Sequence, residues 1–225
     1  MKLITVLLVE DHNMVREGFR LLLKHERDIK VVGEAETGRQ AVDLVRKLRP
    51  AIVVMDIAMP MLNGLEATRQ IRKTFPEVKV LILSAHSDDA YVEHMTELGV
   101  AGFLLKQSSS HELVTAIREV QKGNRFFSPA IATRFQQRET KFRERSSQSK
   151  KKSNRLSSRE MEVLQRIAEG QPNKQVAADL GICLKTVVKH RQNLMSKLDI
   201  HNTAGLTRYA ISTGIIENSV QVTIV

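Results

Sequence analysis

The sequence predicts two domains of different class. The first is an α/β domain of (βα)5 build with a five-stranded parallel sheet over residues 1–124, and the second an all-α, four-helix helix-turn-helix domain over residues 156–216. Three observations predict this. Five short apolar runs alternate with stretches of helical periodicity in the first half, the pattern of a parallel sheet covered by helices on both faces. That alternation stops near residue 125 and only helical spacing follows. The charge divides at the same place. Residues 1–124 hold 17 Lys and Arg against 17 Asp and Glu, whereas residues 125–225 hold 18 against 8 and so carry the whole net charge of +10. A neutral domain joined to a basic one points to a polyanion as the second domain's partner.

Taken in order, the first strand is Ile4–Val9, and the helix over 14–24 spaces Val15, Phe19 and Leu22-Leu23 along one face. The second strand covers 29–34, and Gly38–Leu48 repeats Ala41, Leu44-Val45 and Leu48 at helical spacing. The third strand, 52–55, belongs to the run Ala51-Ile52-Val53-Val54-Met55, which leads straight into Asp56. Apolar and β-branched, with turn residues on both sides, it reads as a strand buried on both faces. A helix over 64–75, a strand over 78–83, a helix over 90–98 ended by Gly99, a strand over 103–105 and a helix over 110–121 ended by Gly123 complete the series.

Polar residues stand at the strand ends. The first strand ends in Glu10-Asp11, the third in Asp56, the fourth in Ser84 and the fifth in Lys106. In a parallel sheet these ends share one side, where ligand chemistry sits in open α/β folds. Three carboxylates repel one another unless a cation neutralises them, and hard oxygen ligands with open positions suit Mg²⁺. Lys106 is a point charge fit for a phosphoryl oxygen, and Ser84 can donate to another. The set reads as a carboxylate nucleophile accepting a phosphoryl group, with metal and lysine offsetting the developing charge.

Composition narrows the field further. An apolar content of 42% is enough for real cores, and the absence of an 18-residue apolar run argues against a membrane span. The apolar N-terminus is short and ends in acids, so it reads as a strand and not as a signal peptide. A single cysteine, Cys183, excludes an internal disulfide framework and a cysteine-based zinc site, and a cytoplasmic location is expected.

Residues 1–124 resemble the receiver domain of two-component response regulators. The resemblance rests on Glu10-Asp11, on Asp56 with Met59-Pro60 and Gly64 behind it, and on Ser84 and Lys106. It implies a flavodoxin-like fold with Asp56 as the phosphoacceptor. It also implies Mg²⁺ held by Asp11 directly, by Glu10 through water, by Asp56 and by the Ala58 carbonyl. Ser84 and Lys106 would hold the phosphoryl oxygens, and Phe103 would be the aromatic switch that answers Ser84. Gln107 departs from the family, which often has proline after the lysine. Ala58 and His86 fall at positions that flank the hydrolytic water in such domains.

The middle of the chain is different. Ser128-Pro129 opens an expected helix over 129–144, and polar residues 146–154 read as a flexible tether within a 125–155 connector. Ser157 and Glu160 then form a capping box, with Leu156 and Met161 as its hydrophobic staple. That first helix stops at Gly170. Asn173–Leu180 is a short helix, Gly181-Ile182 a tight turn, Leu184–Leu198 a third helix and 203–213 a fourth. Two helices about a glycine turn make a helix-turn-helix. Leu184, Val187, Leu194 and Leu198 are expected to face inward, and Cys183 is expected to be a buried structural thiol that caps its helix poorly. Residues 217–225 form a tail.

Residues 156–216 resemble the LuxR-type helix-turn-helix of the NarL/FixJ subfamily. The residues that carry this are Leu156-Ser157, Arg159-Glu160, Glu162-Val163-Leu164, Ala168-Glu169-Gly170, Asn173-Lys174, Thr186-Val187, His190 and Lys197-Leu198. By position, Val188, Lys189 and Gln192 would meet base edges. Lys174, Lys185, Thr186 and Lys197 would hold phosphates. Together the two resemblances imply a transcription regulator that binds double-stranded DNA. A sensor histidine kinase would phosphorylate Asp56, and a homodimer would form on phosphorylation, with the last helix as an output-domain contact. Two rivals are weighed against this. A haloacid-dehalogenase-type phosphatase needs a second acid where Ala58 stands, and a pure interaction module has no use for a complete acidic pocket.

Overall fold

The computed structural model describes residues 3–85, 98–128, 131–132 and 156–216. The expected helix over 90–98, except for its end, and the helix over 129–144, except for residues 131–132, lie outside the described residues. So do His86, the 146–154 tether and the 217–225 tail. By internal contacts the chain divides into two compact units, Met1–Lys151 and Lys152–Val225.

The described elements of the first unit run β1 (Ile4–Val9), α1 (Asn13–Lys24), β2 (Ile29–Ala35), α2 (Gly38–Leu48), β3 (Ile52–Asp56), α3 (Gly64–Thr74), β4 (Lys79–Ser84), β5 (Gly102–Leu105), α4 (Ser110–Lys122) and β6 (Phe126–Phe127). All strand pairs are parallel, in the order β2-β1-β3-β4-β5-β6. The five expected strands are present, and the sheet gains a sixth. Phe127 pairs with Phe103, and the Ser128 N–H donates to the Phe103 carbonyl at 3.0 Å. A two-residue strand is too short to display an alternation, which is why the sequence pattern did not reveal it.

Alternation along β3 sorts the core. Val53 and Met55 pack on one face with Ala41, Val45 and Ile71. Ile52 and Val54 pack on the other with Leu23, Leu113 and Ile117. Every residue of β3 is buried, as a central parallel strand requires. Register then sets the site. Val9 pairs with Met55, so Glu10 lies beside Asp56, and Ser84 pairs with Leu105, so Lys106 follows immediately.

In the second unit α5 (Ser158–Ala168), α6 (Asn173–Leu180), α7 (Leu184–Leu198) and α8 (Thr203–Ser212) enclose Val163, Leu164, Val176, Val187, Leu194 and Leu206. The capping box is formed: Ser157 Oγ accepts the Glu160 N–H at 3.3 Å, and Glu160 Oε2 accepts the Ser157 N–H at 2.8 Å. A cap of this kind is worth about 1 kcal/mol. Gly181 adopts φ 61° to end α6, a left-handed turn that a side chain would strain. Buried Arg166 donates to Asp179 at 2.8 Å and ties α5 to α6.

Two expectations about α7 are corrected. Leu184 is 42% exposed and does not join the inward stripe of Val187 and Leu194, because as the first residue of α7 it has no preceding turn beside it. Cys183 is exposed and not buried, since as the residue before the helix it lies outside the bundle. It makes no side-chain cap, yet the helix starts regularly: Thr186 and Val187 both donate to the Cys183 carbonyl.

Candidate functional site

The β1–α1 loop supplies Glu10, Asp11 and His12, the end of β3 supplies Asp56, and the residue after β5 supplies Lys106. Asp56 and Glu10 are almost wholly buried, at 1% and 2% exposure. The Lys106 ammonium lies between them, 3.0 Å from Asp56 Oδ2 and 2.8 Å from Glu10 Oε2. Burial, and then the Glu10 charge, push the Asp56 carboxyl up to about 7 against the pull of Lys106. Burial disfavours the Lys106 ammonium, but the charges of Asp56 and Glu10 outweigh it and hold its pKa above the usual lysine value.

Glu10 Oε2, Asp11 Oδ1 and Asp56 Oδ2 are buried and accept no well-directed hydrogen bond. Two of these oxygens face the Lys106 ammonium and the third lies 2.9 Å from His12 Nδ1, so three carboxylates share one ammonium and carry an excess of negative charge that a cation would offset. The donor atoms of Glu10, Asp11, His12 and Asp56 all lie within 4.8 Å of one another. This donor set fits the divalent ion expected from the sequence. Ser84 is buried at the end of β4, and its carbonyl accepts the Lys106 N–H at 2.8 Å. Phe103 is fully buried beneath it in the sheet. The Lys106–Gln107 peptide is trans.

The loop after Asp56 is held closely. Asp56 Oδ1 accepts the Ile57 N–H at 2.8 Å, and the Gly64 N–H donates to the Ile57 carbonyl at 2.8 Å. Asn63 caps α3 by accepting the Glu66 N–H at 2.9 Å. The Gly38 N–H donates to the Leu62 carbonyl at 3.1 Å and pins the far side of the loop to α2.

Two residues of the site were not singled out from the sequence. His12 puts Nδ1 2.9 Å from Asp11 Oδ1 and 3.1 Å from Glu10 Oε1. The Asp11 charge, with the Glu10 hydrogen bond, holds its pKa above the usual imidazole value. Arg16 is buried on α1 and donates to the Glu10 carbonyl at 2.7 Å, to Asn13 Oδ1 at 3.1 Å and to Glu36 Oε1 at 2.8 Å. The signal for Arg16 was its place seven residues before Leu23, on the same helical face. Its guanidinium fixes the main chain that carries two of the acids. Arg16→Met is expected to raise the Mg²⁺ concentration needed for half-maximal phosphoryl uptake about tenfold, the usual cost of losing a residue that supports metal ligands. A Mg²⁺ titration of uptake from acetyl phosphate checks this, and an unchanged midpoint would remove Arg16 from the role.

On the helix-turn-helix, Lys174, Lys185, Lys189 and Gln192 are exposed, Val188 is 37% exposed and Thr186 is half-buried. Lys197 differs from the expectation of a phosphate contact. Its ammonium donates to Glu160 Oε2 at 2.7 Å, so it braces α7 against the start of α5. Arg191 braces the same helix through Asn173 and Thr203. The Thr186 hydroxyl, 3.0 Å from Cys183 Sγ, holds that thiol below its usual range.

Residues 6–118 match the family description "Response regulator receiver domain", and residues 154–210 match "Bacterial regulatory proteins, luxR family". The chain is 32% identical over 222 residues to the transcriptional regulatory protein DegU of Brevibacillus brevis, covering 94% of each. It is 35% identical over 214 residues to the response regulator protein VraR of Staphylococcus aureus, covering 95% of this chain and 99% of that one. The chain is a response regulator of the NarL/FixJ subfamily. Solved structures agree with this. The regulator matches RcsB of Salmonella enterica serovar Typhimurium bound to promoter rprA in the presence of phosphomimetic BeF3⁻, with TM-score 0.59 and 25% identity over 92% of this chain and 98% of that one. It also matches a LuxR-family two-component response regulator from Aurantimonas, with TM-score 0.58 and 37% identity over 62% of this chain and 99% of that one. No described helix of the regulator is long and apolar enough to cross a membrane.

Proposed function

We propose that the chain is a phosphorylation-controlled, DNA-binding transcription regulator in which Asp56 accepts the phosphoryl group. The observation that carries this is the buried carboxylate of Asp56 at the end of β3, with the Lys106 ammonium 3.0 Å away and two further acids beside it. A sensor histidine kinase is the donor. A carboxylate in this position attacks phosphorus, and Lys106 and the Ser84 hydroxyl hold the oxygens where charge gathers. Mg²⁺, held by Glu10, Asp11, Asp56 and the Ala58 carbonyl, neutralises charge when bound. Ser84 and Phe103 relay the change. Turnover of a separate substrate is no part of this reading, since no second acid stands two residues after Asp56.

Residues 1–124 act as the receiver, 125–155 as the connector, 156–216 as the DNA-binding domain and 217–225 as a tail. Val188, Lys189 and Gln192 meet base edges, while Lys174, Lys185 and Thr186 meet phosphates. The outer face of α7, where Lys185, Val188, Lys189 and Gln192 are exposed and no acid stands among them, supports that division. Lys197 positions the helix through Glu160 and leaves the set of phosphate contacts. A homodimer forms on phosphorylation, and the protein acts in the cytoplasm.

The test is footprinting of DNA selected by the full chain, with and without acetyl phosphate and Mg²⁺. Protection is expected to strengthen about tenfold or more with acetyl phosphate in the natural chain and not in Asp56→Asn, a change of about 1.4 kcal/mol, within the usual range of coupling between sites. Equal strengthening in Asp56→Asn would end the proposal. Lys189→Ala, measured on the same sites, should relax preference at one base position and cost about 1–3 kcal/mol.

A further inference from the structure

We propose that β6 is a releasable strap: Phe126–Ser128 and the buried side chain of Ile131 clamp the start of the connector against β5, and a phosphoryl group on Asp56 frees it. This takes Asp56 as the phosphoacceptor, as in the reading above, and adds the part of the connector that answers it.

β5 joins the two events. It is four residues long, Gly102–Leu105, and lies between β4 and β6. Just past its end Lys106 bridges Asp56 and Glu10, at 3.0 and 2.8 Å. Three residues back, the Phe103 carbonyl accepts the Ser128 N–H at 3.0 Å. The Ala101 carbonyl, just before the strand, accepts the Phe126 N–H at 3.1 Å. To hold a phosphoryl oxygen, Lys106 must give up part of its bridge. A shift at the end of so short a strand reaches the bonds that carry the strap.

The strap is built into the core of the first unit. Phe127 pairs with Phe103 in register, so the two rings share one face of the sheet, and fully buried Ile131 belongs to the same cluster. Phe126 packs on the opposite face with Leu81 and Leu104. Gly102 makes room for it: a Cβ there would stand 2.6 Å from the Phe126 carbonyl oxygen and 2.7 Å from Leu81 Cδ1. The Ser128 carbonyl accepts the N–H groups of Ile131 at 2.9 Å and Ala132 at 3.0 Å, which turns the chain and returns Ile131 to the core.

The strap is also poised to leave. Two residues make a shorter strand than sheets usually hold, and elements with few bonds open first. Ser128 is only 4% exposed, and its hydroxyl has no hydrogen-bond partner. A buried hydroxyl without a partner costs free energy that water returns on exposure. The docked state carries a cost that the released state does not, which brings the two close enough for one phosphoryl group to decide between them.

The experiment uses the full chain, with BeF3⁻ and Mg²⁺ as the phosphoryl mimic and hydrogen exchange followed by mass spectrometry as the readout. Peptides covering 126–132 are expected to exchange about tenfold faster with BeF3⁻ and Mg²⁺ than without, and no faster in Asp56→Asn. Ser128→Ala removes the unpaired hydroxyl, so it should slow exchange there and cut the gain in DNA binding from acetyl phosphate about fivefold. Gly102→Ala and Ile131→Ala should act in the opposite sense, speeding exchange without BeF3⁻ and raising DNA binding without acetyl phosphate about fivefold. Ile131→Ala does so without altering β5. Unchanged or slower exchange on adding BeF3⁻ and Mg²⁺ would overturn the strap, as would Ser128→Ala and Ile131→Ala moving DNA binding in the same direction. Uptake of radiolabelled phosphoryl from acetyl phosphate separates the two levels. If label reaches Asp56 and footprints strengthen while exchange at 126–132 stays as it was, only the strap falls. If Asp56→Asn takes up as much label as the natural chain, the phosphoacceptor and the strap fall together.

Discussion

Asp56→Asn is expected to make the metal-free chain more stable while abolishing phosphoryl uptake. The carboxyl ionises near 3.8 when exposed, and burial with Glu10 alongside raises this to about 7 in the fold. Below about pH 4 the group is protonated in both states and contributes nothing. As pH climbs from about 4 to 7 the unfolded chain releases the proton and the folded chain keeps it, so stability is lost across that window and stays low above it. The shift corresponds to about 2–4 kcal/mol once sharing of charge with Glu10 and Lys106 is allowed for. Asparagine removes the titration and keeps the shape. Thermal unfolding followed by circular dichroism at pH 8 should therefore give a higher midpoint for Asp56→Asn, with the gap closing toward pH 4. A gap independent of pH would contradict the burial argument.

Gly64→Ala should be the most damaging single methyl group in the first unit. A Cβ at Gly64 would stand 1.8 Å from the Asp56 carbonyl oxygen and 2.9 Å from its carbon. Both are main-chain atoms in the last residue of a central strand, so neither can swing away. Relief requires the start of α3 to withdraw, which breaks the Gly64 to Ile57 hydrogen bond and displaces Asp56 itself. The expected loss is about 3 kcal/mol, at the upper end for an overpacked site, and a midpoint lower by about 10 °C. Phosphoryl uptake should fall with it. A calorimetric midpoint within about 2 °C of the natural chain would show that the loop has more room than these distances allow.

Much of the fold was legible because each strand announces itself by ending. Apolar, β-branched runs stop abruptly at Glu10, Asp56, Ser84 and Lys106, and a parallel sheet has only one side for such ends to share. The acid cluster followed from that rule alone. Other features were hidden for physical reasons. Arg16 shares a helical face with Leu23, but an arginine there reads as a solvated charge until its partners, the Glu10 carbonyl and Glu36, show it to be a strut. Leu184 shares the spacing of Val187 and Leu194, but periodicity does not say where the packing stops, and Leu184 stands at the very start of α7. Lys197 sits in a basic stretch and reads as one more phosphate contact. Nothing in local sequence says that Glu160, 37 residues earlier, already holds it.

That last pairing sets how DNA affinity responds to salt. Each lysine that neutralises a phosphate displaces condensed counterions, and the slope of log affinity against log salt counts such events. Lys197 is neutralised within its own domain, so it arrives with its charge spent and displaces none. The thermodynamic footprint on the duplex is therefore smaller than the number of lysines on α7 implies. On the proposed contacts, salt dependence would come from Lys185 and Lys189 on that helix and from Lys174 on its neighbour, with Lys197 held back by Glu160.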